Sequence, residues 1–489
     1  MTPAPEAASG TAAEETLDLL GVGIGPFNLS LAALADGIPG LSAAFLEQRT
    51  AFRWHPGLLI EGATLQVPFL ADLVSLVEPT SPWSFLNYIK NRELLFPFYF
   101  SERLHIDRAD YDAYCRWVSG QLPSCRFGHQ VDTVRWDARR EAFEVTFTQL
   151  SSADPAEAAA PPAQGRTRPG TAGGAEAVGR VFARHLVLGV GTAPSVPEPL
   201  RPLVEDPAAP ALHSADYLDH RDRLLTARHI TVVGSGQSGA EVFLDLLRRR
   251  PAGREGLTWL ARTSAFAPME YSKLGLEQFT PDYTRYFHGL SEPVRDRLLP
   301  QQWQLHKGVS ADTLGEIHDE LYRRTGEGGW PEAVLTPGVA VRSAERSGGR
   351  IELSVEHAQQ DTDASLVTDA VVCATGYAER SVDELLRPLT PHLARDGADR
   401  PQVDEAHRLV LDEAIGGSVF VQNAERHTHG VGAPDLGLAA WRSAVILNAL
   451  TGRDVYPLPR RTAFTSFGLG ETGRPASRDA TLHDGLAAR

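Results

Sequence analysis

Two glycine-rich turns carry the clearest chemistry in this sequence. The first reads Gly21-Val-Gly23-Ile-Gly25-Pro26, after an apolar run at 17–22 and before a helical pattern reaching about residue 35. Glycines there let the backbone approach a pyrophosphate. The helix N-terminus behind them offers free N–H groups and a partial positive charge. Pro26 suits a first helical turn, where its missing N–H has no partner to lose. A second apolar run, 41–46, ends at Glu47, whose carboxylate can accept hydrogen bonds from the ribose of an adenine nucleotide. Pro26 replaces the third glycine of the GxGxxG pattern, so the turn alone leaves open which dinucleotide it takes.

The second turn, Gly234-Ser235-Gly236-Gln237-Ser238-Gly239, is a complete GxGxxG between an apolar run at 229–233 and a helix expected over 238–250. Arg248, Arg249 and Arg250 are expected to complement that helix's C-terminal dipole, and Pro251 stops it. The following strand, 257–261, ends in Arg262 rather than an acid. An acid would repel a 2′-phosphate, whereas an arginine pairs with it, so NADPH is predicted over NADH. Two dinucleotide sites in one chain imply hydride transfer from a nicotinamide to a second cofactor, for which a flavin is the usual acceptor.

The elements that must hold these turns alternate short apolar runs with helical patterns. This predicts an α/β fold of two Rossmann-like dinucleotide-binding domains, with a small, mostly helical substrate region at about 270–325. The first domain is expected over 16–215, the second over 216–372, and the return to the first over 373–465. Gly189-Val-Gly191-Thr-Ala-Pro194 and Ala374-Thr375-Gly376-Tyr377 read as the two crossings between them. Residues 1–15, 151–179 and 466–489 lack the apolar content that would offset their ordering entropy and are expected to be disordered. The middle one is expected as a long loop within a hairpin.

Lys plus Arg total 47 against 62 Asp plus Glu in 489 residues, a net charge of −15. That balance argues against nucleic-acid or anionic membrane partners. Cys115, Cys125 and Cys373 are odd in number and lack CxxC spacing, which fits neither a disulfide framework nor a zinc site and points to a reducing cytoplasm. It also excludes a flavin disulfide reductase. The N-terminus lacks the basic and apolar regions of a signal peptide, and no apolar run reaches transmembrane length.

With GVGIGPFNLS at 21–30, WHPG at 54–57, LQVPFLADLV at 65–74, PTSPWSFLNY at 79–88, GSGQSGAE at 234–241, ATGY at 374–377 and HTHG at 427–430, the chain resembles the N-hydroxylating flavoprotein monooxygenases of siderophore biosynthesis. These are the lysine, ornithine and diamine N-hydroxylases. The resemblance runs from about residue 17 to 458. It implies FAD at the first turn and NADPH at the second. It also implies hydroxylation of a primary amine by a 4a-hydroperoxyflavin formed with dioxygen. Gln66 matches a glutamine near the flavin ring and is the expected catalytic residue. Trp54 and His55 match a segment beside FAD; Thr375, Gly376, His429 and Gly430 are expected close to the flavin. His427 and His429 have no evident third ligand, so no metal is expected. Family members are commonly dimers or tetramers, which implies a homo-oligomer.

The amino-acid hydroxylases of that family carry a lysine, paired with the substrate's α-carboxylate, where this chain has Ala71. A charge-assisted hydrogen bond contributes about 1.5–3 kcal/mol, and an unpaired buried carboxylate costs more. A diamine, cadaverine or putrescine, is therefore expected, with L-lysine or L-ornithine as the alternative and a non-catalytic flavin protein as a remote one. Asp72 and Leu276 are expected near the amine. The site must also present that amine unprotonated: with a pKa near 10.4, roughly 1 in 250 alkylamines is neutral at about pH 8. The hydroxylation rate should therefore rise with pH to a plateau above neutrality.

Overall fold

Leucine and valine runs buried on both faces build a parallel sheet around Thr16–Val22, in which Leu19 and Leu20 are wholly buried. The computed structural model describes residues 16–150, 177–326 and 329–469. Thr16–Val22 pairs in parallel with Ala43–Glu47 on one side and with Ala177–Leu188 on the other. Cys125–Phe127 extends the first edge. Ala177–Leu188 divides its far edge between two partners. Its first half pairs antiparallel with Ala142–Gln149, and its last residues pair in parallel with Ser418–Val421. His129–Asp137 completes this seven-stranded sheet. Chain before and after the second domain thus meets in one sheet. The helix Pro26–Asp36 is apolar almost all round, as a helix enclosed between the sheet and a second helix, Ala439–Thr451, must be.

A second, five-stranded parallel sheet has the order Ala333–Pro337, Leu257–Ala261, Ile230–Val233, Ala370–Cys373, Ala211–His213. Its central helix, Gln237–Arg249, presents Val242, Phe243, Leu246 and Leu247 to the core, all fully buried. A three-stranded antiparallel meander, Val339–Ser347, Arg350–His357 and Thr362–Thr368, connects its outer and inner strands.

Four expectations need adjustment. Ala211–His213, placed by its position in sequence with the first domain, pairs into the second sheet. Residues 177–179, read as loop, lie in the strand Ala177–Leu188; the hairpin is present, while 151–176 fall outside the described residues, as do 1–15 and 470–489. The helical stretch is divided. Pro281–His288 and Glu292–Gln301 pack against Arg426–His429, but Ala311–Thr325 packs on Gln237–Arg249 and places Ile317 in the second core. The three arginines after Leu247 are not simple helix caps. Arg249 pairs with Asp245 and Glu61, Arg248 with Glu316, and buried Arg250 donates to the carbonyls of Ala227, Arg228 and Glu255.

Where the chain crosses between the sheets, Thr192–Pro194 and Tyr377–Glu379 form a two-stranded antiparallel ribbon. Ser195 N–H donates to the Gly376 carbonyl (2.9 Å) and the Thr375 hydroxyl to the Ser195 carbonyl (2.5 Å). All three cysteines are free. Among the described residues, no helix is long and apolar enough to cross a membrane.

Candidate active site

Each glycine turn is pressed against one of the two crossings. Gly23 has φ +87°, and a Cβ there would lie 2.5 Å from the Gly189 carbonyl oxygen. Gly234 has φ +131° and would meet the Ala374 oxygen at 2.1 Å. Only glycine satisfies both the left-handed backbone and the contact. Gly21 closes on the Phe45 ring, while a Cβ on Gly25 would meet nothing within 4 Å, so this last glycine faces open space at the helix N-terminus. Pro26 occupies the first helical turn, as its residue type predicts.

Glu47 reaches back from the end of its strand. Its Oε2 accepts from Ile24 N–H (2.9 Å) and its Oε1 from Arg49 N–H (2.9 Å), which fixes the carboxylate beside the turn. Asn28, which sequence reasoning passed over, is the turn's staple. It is buried, donates from Nδ2 to the Val22 and Gly23 carbonyls (3.1 and 2.8 Å) and accepts from Gln422 Nε2 (2.8 Å). An amide buried in an otherwise apolar helix was the available signal, since such a group is retained only where it is bonded.

At the second turn, Ser235 and Ser238 are half-buried and Gly239 packs on the Gly234 carbonyl. Gln237 is tied down: its Nε2 donates to Glu241 and Thr313 (2.8 and 3.0 Å), and its Oε1 accepts from Ser310 N–H (2.8 Å). Arg262 is exposed at the strand end. Lys307, from the distant segment after Trp303–Leu305, joins it. The Lys307 carbonyl lies beside Gly236, and its ammonium is held below its usual range by burial and by the charges of Arg426 and Arg262. Cations brought this close together form a ready receptor for phosphate.

Between the turns lies a recess. Trp54 packs its ring against Tyr111 (5.0 Å between centroids), and its backbone N–H donates to the Asp112 carboxylate (2.8 Å). His55 has a left-handed backbone (φ 45°) and stands edge-on to Tyr377 (5.4 Å). It is solvent-exposed yet enclosed by protein, as a group lining a cleft is; desolvation, then the charges of Arg108 and Arg49, push its pKa down to about 4. Gly57 follows because a Cβ would strike the Ala215 carbonyl of the second domain. Gln66 Nε2 and the Tyr377 hydroxyl are buried without a hydrogen-bond partner. The Tyr271 hydroxyl donates to the Gln66 carbonyl (3.4 Å), and Leu276, 37% exposed, lies in the adjoining turn Gly275–Phe279, which packs on Gly430–Gly432.

Asp435 follows that turn. One carboxylate oxygen accepts from Gly437 N–H (2.7 Å); the residue is half-buried, and its charge reaches Tyr271. Burial pushes its pKa up to about 6, against the Gly437 hydrogen bond and the Arg442 guanidinium. Arg442, itself buried, donates to the Gly432 and Ala433 carbonyls (3.3 and 2.6 Å) and so fixes the loop leading to Asp435. Nothing in the local sequence around Asp435 or Lys307 signals a site.

Three expected residues sit differently. Asp72 is consumed within its own loop: it accepts from Val74, Ser75 and Phe85 N–H and from the Ser75 hydroxyl (2.6–2.9 Å), which leaves no oxygen free for an ammonium. A buried carboxylate with four donors is a loop organiser. His429 is covered by protein and stacked on His407 (4.1 Å), and Gly430 closes on Phe287. His429 Nε2 is buried without a hydrogen-bond partner. Ala71 is buried. A cleft of about 1190 Å³ along Ala211–His213 is lined by none of these residues.

The close glycines, the open helix N-terminus at Gly25, and the unpartnered Gln66 amide and Tyr377 hydroxyl fit a flavin dinucleotide. The Arg262–Lys307 pair fits a phosphorylated nicotinamide dinucleotide. Fold and site together define a two-dinucleotide flavoprotein oxidoreductase.

Comparison with known proteins narrows this class. The family described as L-lysine 6-monooxygenase/L-ornithine 5-monooxygenase matches residues 15–161 and 170–379, and the chain belongs to it. It is 41% identical to the rhizobactin siderophore biosynthesis protein RhbE of Rhizobium meliloti, over 92% of this chain and 95% of that one. It is 38% identical to a putrescine N-hydroxylase of Shewanella oneidensis, over 92% and 84%. Among solved structures it is similar to the FAD-bound cadaverine monooxygenase DfoA of Erwinia amylovora (TM-score 0.84, 35% identity, 93% and 99% covered). It is also similar to an ornithine N-hydroxylase of Kutzneria holding reduced FAD, NADP+ and L-ornithine (TM-score 0.78, 26% identity, 90% and 99% covered). The chain is thus a flavin-dependent N-monooxygenase that uses FAD and NADPH, of the kind that serves siderophore biosynthesis.

Proposed function

We propose that this enzyme N-hydroxylates a diamine, cadaverine or putrescine, rather than lysine or ornithine. The observation that carries the reading is a pair: apolar, buried Ala71 where an amino acid's carboxylate would need a cation, and the half-buried Asp435 carboxylate, whose charge reaches the Tyr271 that bonds Gln66. A diamine offers no carboxylate to satisfy, and its second ammonium needs an anion. Asp435 takes the role first assigned to Asp72.

Bound FAD, once reduced by NADPH, would activate dioxygen, one atom of which goes to the amine and the other to water. The chain supplies position and protonation state. The turn 21–26 and Glu47 hold the adenine half of FAD, and Trp54, His55, Gln66 and Tyr377 border its ring. The ring-side amine is kept neutral by the apolar wall of Leu276 and Ala71, while Asp435 holds the far end charged. Two ends of one molecule in unlike surroundings titrate apart. The recess sits between two domains clasped by the bidentate Arg108–Glu241 pair (2.7 and 2.8 Å), which keeps bulk water from the reacting oxygen. The free cysteines are compatible with a reducing cytoplasm.

The deciding experiment measures hydroxylamine formed per NADPH oxidised with cadaverine, putrescine, lysine and ornithine. Either diamine should exceed both amino acids in kcat/KM by about 100-fold. Ala71→Lys should narrow that ratio. Lysine turning over as well as the diamines ends the proposal.

A further inference from the structure

The stretch 460–469 is bonded along the turn Gly275–Phe279 and the helix that follows it, and two carboxylates do most of the holding. Glu277 accepts from Phe464 N–H on Oε1 (2.9 Å) and from Thr465 N–H on Oε2 (2.7 Å). Five residues on, Asp282 Oδ2 accepts from Thr462 and Ala463 N–H (2.7 and 2.9 Å), and Asp282 N–H donates back to the Thr462 hydroxyl (3.2 Å). Arg285 donates to the Arg460 carbonyl (3.1 Å). The bonds from Thr465 and Phe464 hold the Glu277 carboxyl below its usual range, so it stays charged at neutral pH. Packing adds Phe467, edge-on to Tyr283 (4.9 Å between centroids) and stacked on Tyr286 (6.1 Å). Phe464 and Leu469, by contrast, are 88% and 74% exposed.

What this strap holds is the part of the recess that has no core of its own. The turn Gly275–Phe279 buries none of its residues. It carries Leu276, it packs on Gly430–Gly432, and Tyr271 just before it bonds the Gln66 carbonyl. One side of the unit is fixed from within: Phe287 is wholly buried, and Gln302 donates to Gln278 (2.7 Å). Glu277 stands next to Leu276 in the chain, so the two bonds on its carboxylate also fix where Leu276 lies. A segment without buried apolar residues opens at low free energy unless such bonds close it. An open wall admits water to the reacting oxygen.

We propose that Glu277, Asp282 and Phe467 are positioning residues, which through the stretch 460–469 keep the Leu276 turn closed over the amine and so couple NADPH oxidation to hydroxylation. The proposal rests on the placement of Leu276 beside the amine, and not on which amine binds. With the turn open, the two electrons of NADPH reduce dioxygen to peroxide and no N–O bond forms: NADPH + H+ + O2 gives NADP+ + H2O2. The test measures hydroxylamine and hydrogen peroxide formed per NADPH oxidised, with whichever of cadaverine, putrescine, lysine and ornithine the wild type hydroxylates. Lysine turnover would thus end the diamine reading and leave this one standing. Glu277→Ala/Phe467→Ala should lower the hydroxylamine ratio at least about 3-fold, within what one or two charge-assisted hydrogen bonds can shift, with peroxide making up the difference. Glu277→Gln, which keeps one acceptor oxygen, should fall between. FAD absorbance and anaerobic flavin reduction by NADPH should stay those of the wild type. Hydrogen exchange of the FAD-loaded double variant should be at least about 10-fold faster at 464–465 and across 275–279, and unchanged in Ile230–Val233. Wild-type coupling despite faster exchange overturns the proposal, because the stretch would then be tied down without setting the turn. So does lost coupling with unchanged exchange across 275–279.

Discussion

The two dinucleotide turns are built alike and charged oppositely. Each begins with a buried strand, places a positive-φ glycine against the carbonyl of a domain crossing, and opens a helix toward the ligand. Beyond the turn they diverge. The flavin side ends in carboxylates, Glu47 at the turn and Asp435 in the recess; the nicotinamide side ends in cations, Arg262 and Lys307. The shared part answers a shared demand, close approach to a pyrophosphate. On the proposed function, the divergent part follows what would lie beyond it: ribose hydroxyls and an ammonium on one side, an extra phosphate on the other.

Substituting the matching glycines tests the shared half and should have the largest effect. Gly23→Ala should give a colourless protein that does not retain added FAD. Gly234→Ala should retain FAD yet oxidise NADPH at least about 100-fold more slowly, since its Cβ displaces a carbonyl on the cofactor's path. Near-normal NADPH oxidation by the Gly234→Ala enzyme would break the equivalence.

The acidic side is tested next. Asp435→Asn should lower kcat/KM for the diamine about 10- to 100-fold with little change in flavin reduction. In the wild type the carboxyl, raised to about 6, is neutral at lower pH and cannot hold an ammonium. kcat/KM should therefore fall as pH drops through about 6, and the Asn variant should lose that limb. An unchanged profile in the variant would detach Asp435 from the amine.

On the basic side the effect is smaller. Arg262→Ala should raise KM for NADPH about 10-fold, Lys307→Ala by several-fold, and both should leave NADH kinetics unchanged, because an exposed cation–phosphate pair is screened by solvent. Equal loss with both nucleotides would show that the cations hold the common pyrophosphate and not the 2′-phosphate. The smallest catalytic effect belongs to the clasp. Glu241→Gln leaves Arg108 buried without its counter-charge and should lower Tm by several degrees, for a loss of about 3 kcal/mol, while moving each KM less than about 3-fold. A larger rise in KM for NADPH would show that the ion pair also sets the distance between the two cofactors.

The glycine turns, Glu47, Arg262 and the crossings were legible because each is a local pattern: a strand, a tight turn and a helix within a few tens of residues. Asp72 misled for the same reason. Its place beside Ala71 suggested a shared pocket, but loop donors two, three and thirteen residues away absorb it. His429 and Gly430 lie in a family motif, and what the fold adds is their packing on His407 and Phe287. Ala211–His213 shows the limit again, since a three-residue strand takes its sheet from its neighbour and not from its order in the chain.

The two dinucleotide sites came from sequence alone, because backbone approach to a phosphate and the sign of a charge are properties of residue type and short spacing; the class of reaction and the missing cation at Ala71 came from the family resemblance that the motifs carry. Which carboxylates are already satisfied, which lysine joins Arg262, and which arginine binds the domains together were decided by folding. Those groups come from segments hundreds of residues apart, and only the closed chain determines which polar atoms are already satisfied and which still face the cleft.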